Sequence, residues 1–82
     1  MKHYKQAKME PIEIMRNAMS DEQFEGFIIG NIYKYIQRYK HKGEPEMDLL
    51  KALDYMRALY RFHMDGNTKN PFRENENRST KD

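Results

Sequence analysis

The fold of this 82-residue chain is constrained most strongly by two segments whose apolar residues have helical spacing. A short Gly-Glu-Pro connection joins the two segments. When each segment is projected at about 100° per residue, its apolar residues gather on one face. The first face consists of Phe24, Ile28, Ile32, Tyr35, Ile36 and Tyr39; the second consists of Leu49, Leu53, Met56 and Tyr60, flanked by Ala52, Leu59 and His63. Because the connection, residues 43–45, is so short, the two segments should pack as antiparallel neighbours. The sequence therefore predicts a helical hairpin.

The helix boundaries carry recognisable end signals. Ser20 and Gln23 have the spacing of a capping box, which predicts the start of the second helix. This helix is expected to run to about Lys42 and to end at Gly43. Pro11 and Pro45 suit the first turns of the helices before and after it, because proline loses no helical hydrogen bond there.

The expected fold is all-α, with a short N-terminal helix ahead of the hairpin. We divide the chain into an N-terminal segment (1–9), a helical domain (10–65) and a flexible polar tail (66–82). The only large apolar residue of the tail is Phe72, so the tail should not bury enough surface to offset its ordering entropy. Gly30 lies inside the second helix, where it costs roughly 1 kcal/mol relative to Ala. A glycine in this position predicts close approach by another backbone, a side chain or a ligand.

Composition narrows the class of protein. The foldable part is short and the chain has no Cys, so it cannot use disulfides or thiolate metal sites, and a homo-oligomer is the expected means of stabilisation. The net charge of +2 is too small to indicate a nucleic-acid-binding protein. No apolar run reaches membrane-spanning length, and a cytoplasmic location is expected, in the host cell if the gene belongs to a phage.

One polar stripe follows the second helix at the edge of its apolar face. It consists of Asn31, Lys34 and Arg38, spaced i, i+3, i+7. Lysine and arginine at a half-buried edge can hold a phosphate or a carboxylate, and Arg offers two parallel donors. The simpler interpretation is a solvated helix border whose long side chains cover apolar neighbours.

A second polar stripe follows the third helix and consists of Asp48, Lys51 and Tyr55. Asp48 could pair with a base from the second helix, bind a metal-bridged phosphate or accept a proton. An acid in the first turn also interacts favourably with the helix dipole, and this interaction alone would be a sufficient reason for an acidic residue at position 48. Folding of the hairpin could bring both stripes together into one small polar site.

Familiar catalytic and metal-binding motifs are missing from the sequence. His3, His41 and His63 lack the spacing of a helical zinc pair, so no metal site is predicted. There is also no phosphate loop of the G-x-x-x-x-G-K-[ST] type and no G-x-S-x-G nucleophile motif. His3, beside Tyr4 and Lys5, comes before the residues that are predicted to form the core, and it has no evident role in packing.

Several of these residues occur in an order that resembles the SaV-like family of short phage and prophage proteins, some of which are described as phage nucleotide kinases. The matching residues are His3-Tyr4, Glu10-Pro11-Ile12-Glu13, Gly30-Asn31, Lys34-Tyr35-Ile36, Arg38, Lys42-Gly43, Asp48-Leu49, Lys51-Ala52 and Tyr55. The resemblance runs from His3 to about Leu59. The kinase description belongs to longer relatives, whereas this chain is little more than the shared module.

The resemblance implies a protein that binds a nucleotide or another phosphorylated metabolite, with or without Mg²⁺, and that has nucleotide kinase-like activity. Lys34, Arg38 and Lys51 would neutralise phosphate, Asn31 and Tyr55 would orient the base or sugar, Asp48 would position a cation or a basic partner, and His3 would close the site. The alternative is a non-catalytic phage protein that binds and modulates a host protein, for which the seven Met residues offer an adaptable surface.

Overall fold

A computed structural model describes residues 9–73 and shows three helices. We number them α1 (Pro11–Ala18), α2 (Asp21–Arg38) and α3 (Pro45–Met64). The prediction of an all-α fold with a short helix ahead of a hairpin is confirmed, since α2 and α3 form the main packed pair. In this range, none of the helices has the length and the apolar run that crossing a bilayer requires.

The start of α2 is fixed by a complete capping box, as the sequence predicts. The backbone N–H of Gln23 donates to Ser20 Oγ at 3.1 Å, and the backbone N–H of Ser20 donates to Gln23 Oε1 at 2.8 Å. Two backbone donors without helical partners are thereby satisfied. α1 and α3 each have proline in the first turn, also as predicted.

The end of α2 differs from the prediction, because the helix stops at Arg38 rather than near Lys42. The carbonyl oxygen of Arg38 accepts hydrogen bonds from the backbone N–H groups of His41 (2.9 Å) and Lys42 (3.2 Å), which fold the chain into a turn. Gly43 follows with φ of +92°, a backbone conformation that favours glycine. The chain thus reverses over residues 39–44, and the predicted terminator Gly43 acts at the end of the turn.

The core lies between α2 and α3 and is small. Phe24, Ile28 and Ile32 of α2 are buried against Phe62 of α3. The Phe24 and Phe62 rings meet edge to face, with centroids 5.4 Å apart and planes at 68°. The central part of the predicted α2 face is therefore correct, whereas Ile36 remains 47% exposed.

The packed face of α3 is not the stripe that the sequence predicts. Leu49, Leu53, Met56 and Tyr60 remain between 44% and 64% exposed. The buried residues of α3 are Asp48, Ala52, Ala58 and Phe62. Small Ala side chains allow a neighbouring backbone to come close, so α3 turns this face inward and leaves its bulkier residues outside. The hydrophobicity of α3 alone does not distinguish two adjacent faces.

Arg16 joins the three helices at one end of the hairpin. Its guanidinium carbon lies 5.4 Å from the Phe24 ring centroid and 4.9 Å from the Phe62 ring centroid. The Nη2 group donates to Asp21 Oδ1 and to the carbonyl oxygen of Gly66, both at 2.8 Å. α1 is thereby attached to the core and to the chain just beyond α3.

Residues 66–73, which the sequence assigns to the tail, contact the helices. Pro71 is fully buried, and its carbonyl oxygen accepts a hydrogen bond from Arg61 Nη1 at 3.0 Å. Asn70 Nδ2 donates to Glu10 Oε1 at 3.0 Å, and Arg73 forms an ion pair with the same carboxylate. This segment therefore connects the end of α3 to the start of α1. Residues 74–82, the rest of the predicted tail, lie outside the described part of the chain.

Candidate functional site

Three cationic side chains surround Tyr35 at one edge of the hairpin. The distances to its ring centroid are 4.5 Å from Lys34 Nζ, 5.6 Å from Lys51 Nζ and 5.7 Å from Arg38 Cζ. Lys34 and Arg38 belong to α2, and Lys51 belongs to α3. The fold therefore brings the basic residues of both predicted stripes together around one aromatic ring. We call Lys34, Tyr35, Arg38 and Lys51 the Tyr35 cluster.

Asp48 lies beside this cluster and is paired with Arg38. Arg38 Nε donates to Asp48 Oδ2 at 3.3 Å. The Asp48 side chain is only 4% exposed, whereas the Arg38 side chain is 40% exposed. Of the roles considered for Asp48, pairing with a base from α2 is the one that this geometry shows. The buried carboxylate holds the guanidinium at the rim of the Tyr35 cluster.

Lys34 and Lys51 differ from Arg38 in their surroundings. Both are exposed, and within residues 9–73 neither lies within 4 Å of a carboxylate oxygen. An exposed cation beside an aromatic ring gains only about 0.5–1 kcal/mol from that contact, so little energy opposes its reorientation toward an anion. These two ammonium groups are the positive charges of the cluster most available to a ligand.

Tyr55 supports the cluster from the α3 side. Its ring stacks on Tyr35 with centroids 5.9 Å apart and planes at 24°. The rings of Phe27 and Phe72 meet it edge to face, at 6.1 Å and 5.1 Å. Burial, followed by the effect of nearby Tyr35, raises the pKa of Tyr55 above its ordinary value. Tyr55 is therefore a neutral phenol at physiological pH, held in an aromatic cluster.

Asn31 is half-buried, and its amide group is partly satisfied within α2. Asn31 Nδ2 donates to the carbonyl oxygen of Phe27 at 2.9 Å, one helical turn earlier. One of the two N–H donors of the amide is thus used by its own helix, which leaves the second N–H and the side-chain oxygen for a ligand. Asn31 is the predicted site residue whose contacts say least about a ligand.

An open groove extends from the Tyr35 cluster along the outer side of α2. Lys34, Arg38, His41 and Lys42 give it a basic lining, and Gly30 lies among them. No backbone or side chain of the described residues approaches Gly30 closely, because a Cβ placed there would meet nothing within 4 Å, and close approach by a ligand stays a prediction. Gly30 instead leaves open space beside the basic side chains. His41 and Lys42 join the groove because the chain turns at Arg38.

Tyr35 is the residue that sequence reasoning placed incorrectly. The helical projection assigns it to the core face, but the structure leaves it half-buried among three cations. The sequence feature that could have indicated this position is that Tyr35 lies between Lys34 and Arg38, at the edge of the apolar face. The seventh predicted residue, His3, lies outside the described residues. Over residues 9–73, no group of three or more His, Asp or Glu side chains is placed to hold a metal ion.

The fold and the site define a small helical protein with a basic, aromatic surface cluster, and sequence comparison identifies its family. The chain belongs to DUF3310, a family described as proteins of unknown function, whose sequence model matches residues 1–57. This range includes all seven predicted site residues. The SaV-like label suggested by the motifs stays a prediction.

A named relative gives a more specific comparison. The chain is 42% identical over 60 residues to nucleotide kinase gp1.7 of Escherichia phage T7. The aligned residues make up 70% of this chain but only 30% of the relative. The chain therefore spans less than a third of the length of the protein it matches. No solved structure matches the chain.

Proposed function

We propose that this chain is a phage-type protein that binds the phosphate of a nucleotide or of another phosphorylated metabolite at the Tyr35 cluster. The observation that carries the proposal is the convergence of Lys34, Arg38 and Lys51 on one ring. Like charges gathered from two helices repel each other unless an anion or a carboxylate compensates them. Asp48 compensates Arg38, which leaves the two ammonium groups for a ligand.

The geometry favours a phosphate over a single carboxylate as the anion. Arg38 uses Nε for Asp48, so its terminal nitrogens remain to donate to a second anion. A phosphate has several oxygens that can accept from this guanidinium and from Lys34 and Lys51 at once. The open groove beside Gly30 offers space for the remainder of the ligand.

The similarity to a protein named nucleotide kinase supports a nucleotide as the phosphorylated ligand and kinase-like chemistry as the activity. Phosphoryl transfer depends mainly on positioning and on positive charge near the transferred group. The Tyr35 cluster supplies charges of that kind, and Asp48 positions one of them. In this proposal, Tyr35 contacts the ligand and Tyr55 supports Tyr35 from behind.

The second candidate function is that of a non-catalytic phage protein that binds a host protein. It is favoured by a different observation, the exposed apolar residues of α3. Large apolar side chains at a protein surface often mark a partner site. The two functions use different surfaces, so mutations can separate them.

A thermal-shift screen tests the proposed function. The full chain is heated with nucleoside mono-, di- and triphosphates and with inorganic phosphate, each with and without Mg²⁺. A ligand at one hundred times its Kd should stabilise the folded state by about 2.7 kcal/mol. Stabilisation that is clearly reduced in Lys34→Gln and kept in Lys40→Gln supports the site, because Lys40 is an exposed lysine beside a different ring, that of Tyr39. Absence of stabilisation by the whole panel would contradict the proposal.

A further inference from the structure

The outer face of α3 carries an apolar stripe that the described residues leave exposed. We call Leu49, Leu53, Met56 and Tyr60 the α3 stripe; their exposed fractions are 45%, 44%, 49% and 64%. Along the described chain, fewer large apolar side chains are buried in the core than are left exposed. A core of this size supplies only about 3–5 kcal/mol of stability in small domains. Covering the α3 stripe would therefore add substantially to the buried apolar surface.

The α3 stripe lies away from the Tyr35 cluster. In helical projection, Lys51 is about 170° round α3 from the centre of the stripe. A partner bound on the stripe would thus leave Lys51 and the basic groove of α2 accessible. The stripe is a surface separate from the candidate ligand site.

We propose that the α3 stripe binds the α3 stripe of a second copy of this chain, with the two helices antiparallel. The stripe residues are spaced i, i+4, i+7, i+11, the 4-3-4 pattern of a coiled-coil seam. A two-fold symmetric pairing places the same patch on both sides of the interface, so the stripes of two copies can cover each other. Its mixture of Leu, Met and Tyr has no charged residue to desolvate.

The charges at the ends of the stripe select the antiparallel direction. Continuing the same spacing by one step in each direction gives Glu46 before Leu49 and His63 after Tyr60. In an antiparallel pair aligned so that Leu53 faces the partner's Met56, Leu49 faces Tyr60 and Glu46 faces His63. Each carboxylate then meets an imidazole, which can donate a hydrogen bond. A parallel pair would place the two Glu46 carboxylates against each other, which is destabilising.

The first test measures the mass of the full chain in solution by light scattering. The wild type should have at least twice the single-chain mass at micromolar concentration, and its Tm should rise with concentration. Leu53→Lys/Met56→Lys should reduce the mass at least twofold and remove the concentration dependence. Ile14→Lys, which changes an apolar residue of α1 that is 54% exposed, should leave the mass unchanged.

Several results would overturn the proposal. One is a monomeric wild type. The α3 stripe would then be left for residues 1–8 or 74–82, or for a host protein, to cover. Another is an assembly that Ile14→Lys disrupts and the double variant does not. Since the stripe residues are already half exposed, Lys should be tolerated there, and helical content by circular dichroism checks this.

Cysteine cross-linking tests the direction and does not depend on disrupting the interface. The chain has no Cys, so Leu49→Cys and Tyr60→Cys introduce the only thiols. The antiparallel arrangement predicts disulfide formation when the two variants are mixed, and little in either variant alone. Within an antiparallel pair, identical positions are about 16 Å apart along the helix, beyond the reach of a disulfide. Cross-linking of Leu49→Cys with itself, or none in the mixture, would contradict the pairing.

Discussion

Arg38 Nε lies 3.3 Å from Asp48 Oδ2 and connects the last turn of α2 to the first turn of α3. The pair spans the turn that reverses the chain, so it holds the hairpin closed at this end. The same guanidinium lies 5.7 Å from the Tyr35 ring and belongs to the candidate site. Stability and ligand binding therefore share one residue, and mutations must separate the two.

We predict unequal effects on stability for the two partners of this pair. Arg38→Gln leaves a buried carboxylate without its partner and should lower the free energy of unfolding by about 3 kcal/mol. Asp48→Asn leaves a guanidinium that is already 40% exposed and can be hydrated, so its cost should be about 1 kcal/mol. Urea denaturation of both variants measures the difference.

The double variant supplies the control for this prediction. If the two residues act as a pair, the losses should not add, and Arg38→Gln/Asp48→Asn should cost clearly less than the sum of the single changes. Additive losses would show that the contact contributes nothing of its own. Arg57→Gln, which breaks the exposed pair with Asp54, should change stability by less than about 1 kcal/mol.

The segment after α3 gives a second prediction. Removal of residues 74–82 should leave Tm unchanged, whereas removal of residues 67–82 should lower it by several degrees. The longer deletion exposes the surface covered by buried Pro71 and removes the Phe72 ring from Tyr55. Phe72→Ala in the full chain should reproduce part of the loss. Equal melting temperatures for the two truncations would show that the segment does not contribute to folding.

A third prediction concerns Arg16. Arg16→Gln removes the cation from beside Phe24 and Phe62 together with the hydrogen bonds to Asp21 and Gly66. The Arg16 side chain is only 15% exposed. Loss of charge-assisted contacts at such a position should cost about 1.5–3 kcal/mol in a denaturation experiment. Asp21→Asn, which removes only the exposed partner, should cost much less. Surface substitutions usually change the free energy of unfolding by less than about 0.5 kcal/mol. A change that small for Arg16→Gln would contradict this role.

The raised pKa of Tyr55 predicts a dependence of stability on alkaline pH. The unfolded tyrosine titrates near pH 10, and burial keeps the folded one neutral to higher pH. Its contribution to stability is therefore fully present below about pH 10 and is lost as pH rises through the folded pKa. The difference in tyrosinate absorbance between the wild type and Tyr55→Phe during alkaline titration should show the Tyr55 phenol ionising above its ordinary pKa. An unchanged titration curve would exclude the assignment.

Local signals in the sequence predicted most of the fold. The capping box of Ser20 and Gln23 and the prolines at positions 11 and 45 gave helix starts, because each acts within one helical turn. The end of α2 was misplaced because the turn depends on backbone hydrogen bonds to the Arg38 carbonyl, which no side-chain pattern encodes. The packed face of α3, which buries Ala52 and Phe62, depends on how the two helices fit together and is therefore a property of the pair.

The candidate site shows a similar division. The stripes placed Lys34, Arg38 and Lys51 at the border of the hairpin, and the structure brings them together. Helical periodicity could not place Tyr35 at their centre, because its position depends on the contact with Tyr55 across the hairpin. Contacts between the two helices determine this part of the site, and the residue pattern of a single helix does not predict such contacts.

The most direct test of the central claim is equilibrium binding of the nucleotide panel by calorimetry, with Lys34→Gln and Lys51→Gln compared against Lys40→Gln. Each change removes one positive charge, so all three variants have the same net charge. Loss of a charge-assisted hydrogen bond of about 1.5–3 kcal/mol predicts roughly tenfold to hundredfold weaker binding for the first two variants. Lys40→Gln should bind like the wild type, and all three should keep the wild-type Tm within a few degrees. Equal affinities in all three variants, or no binding by the wild type, would contradict a phosphate site at the Tyr35 cluster.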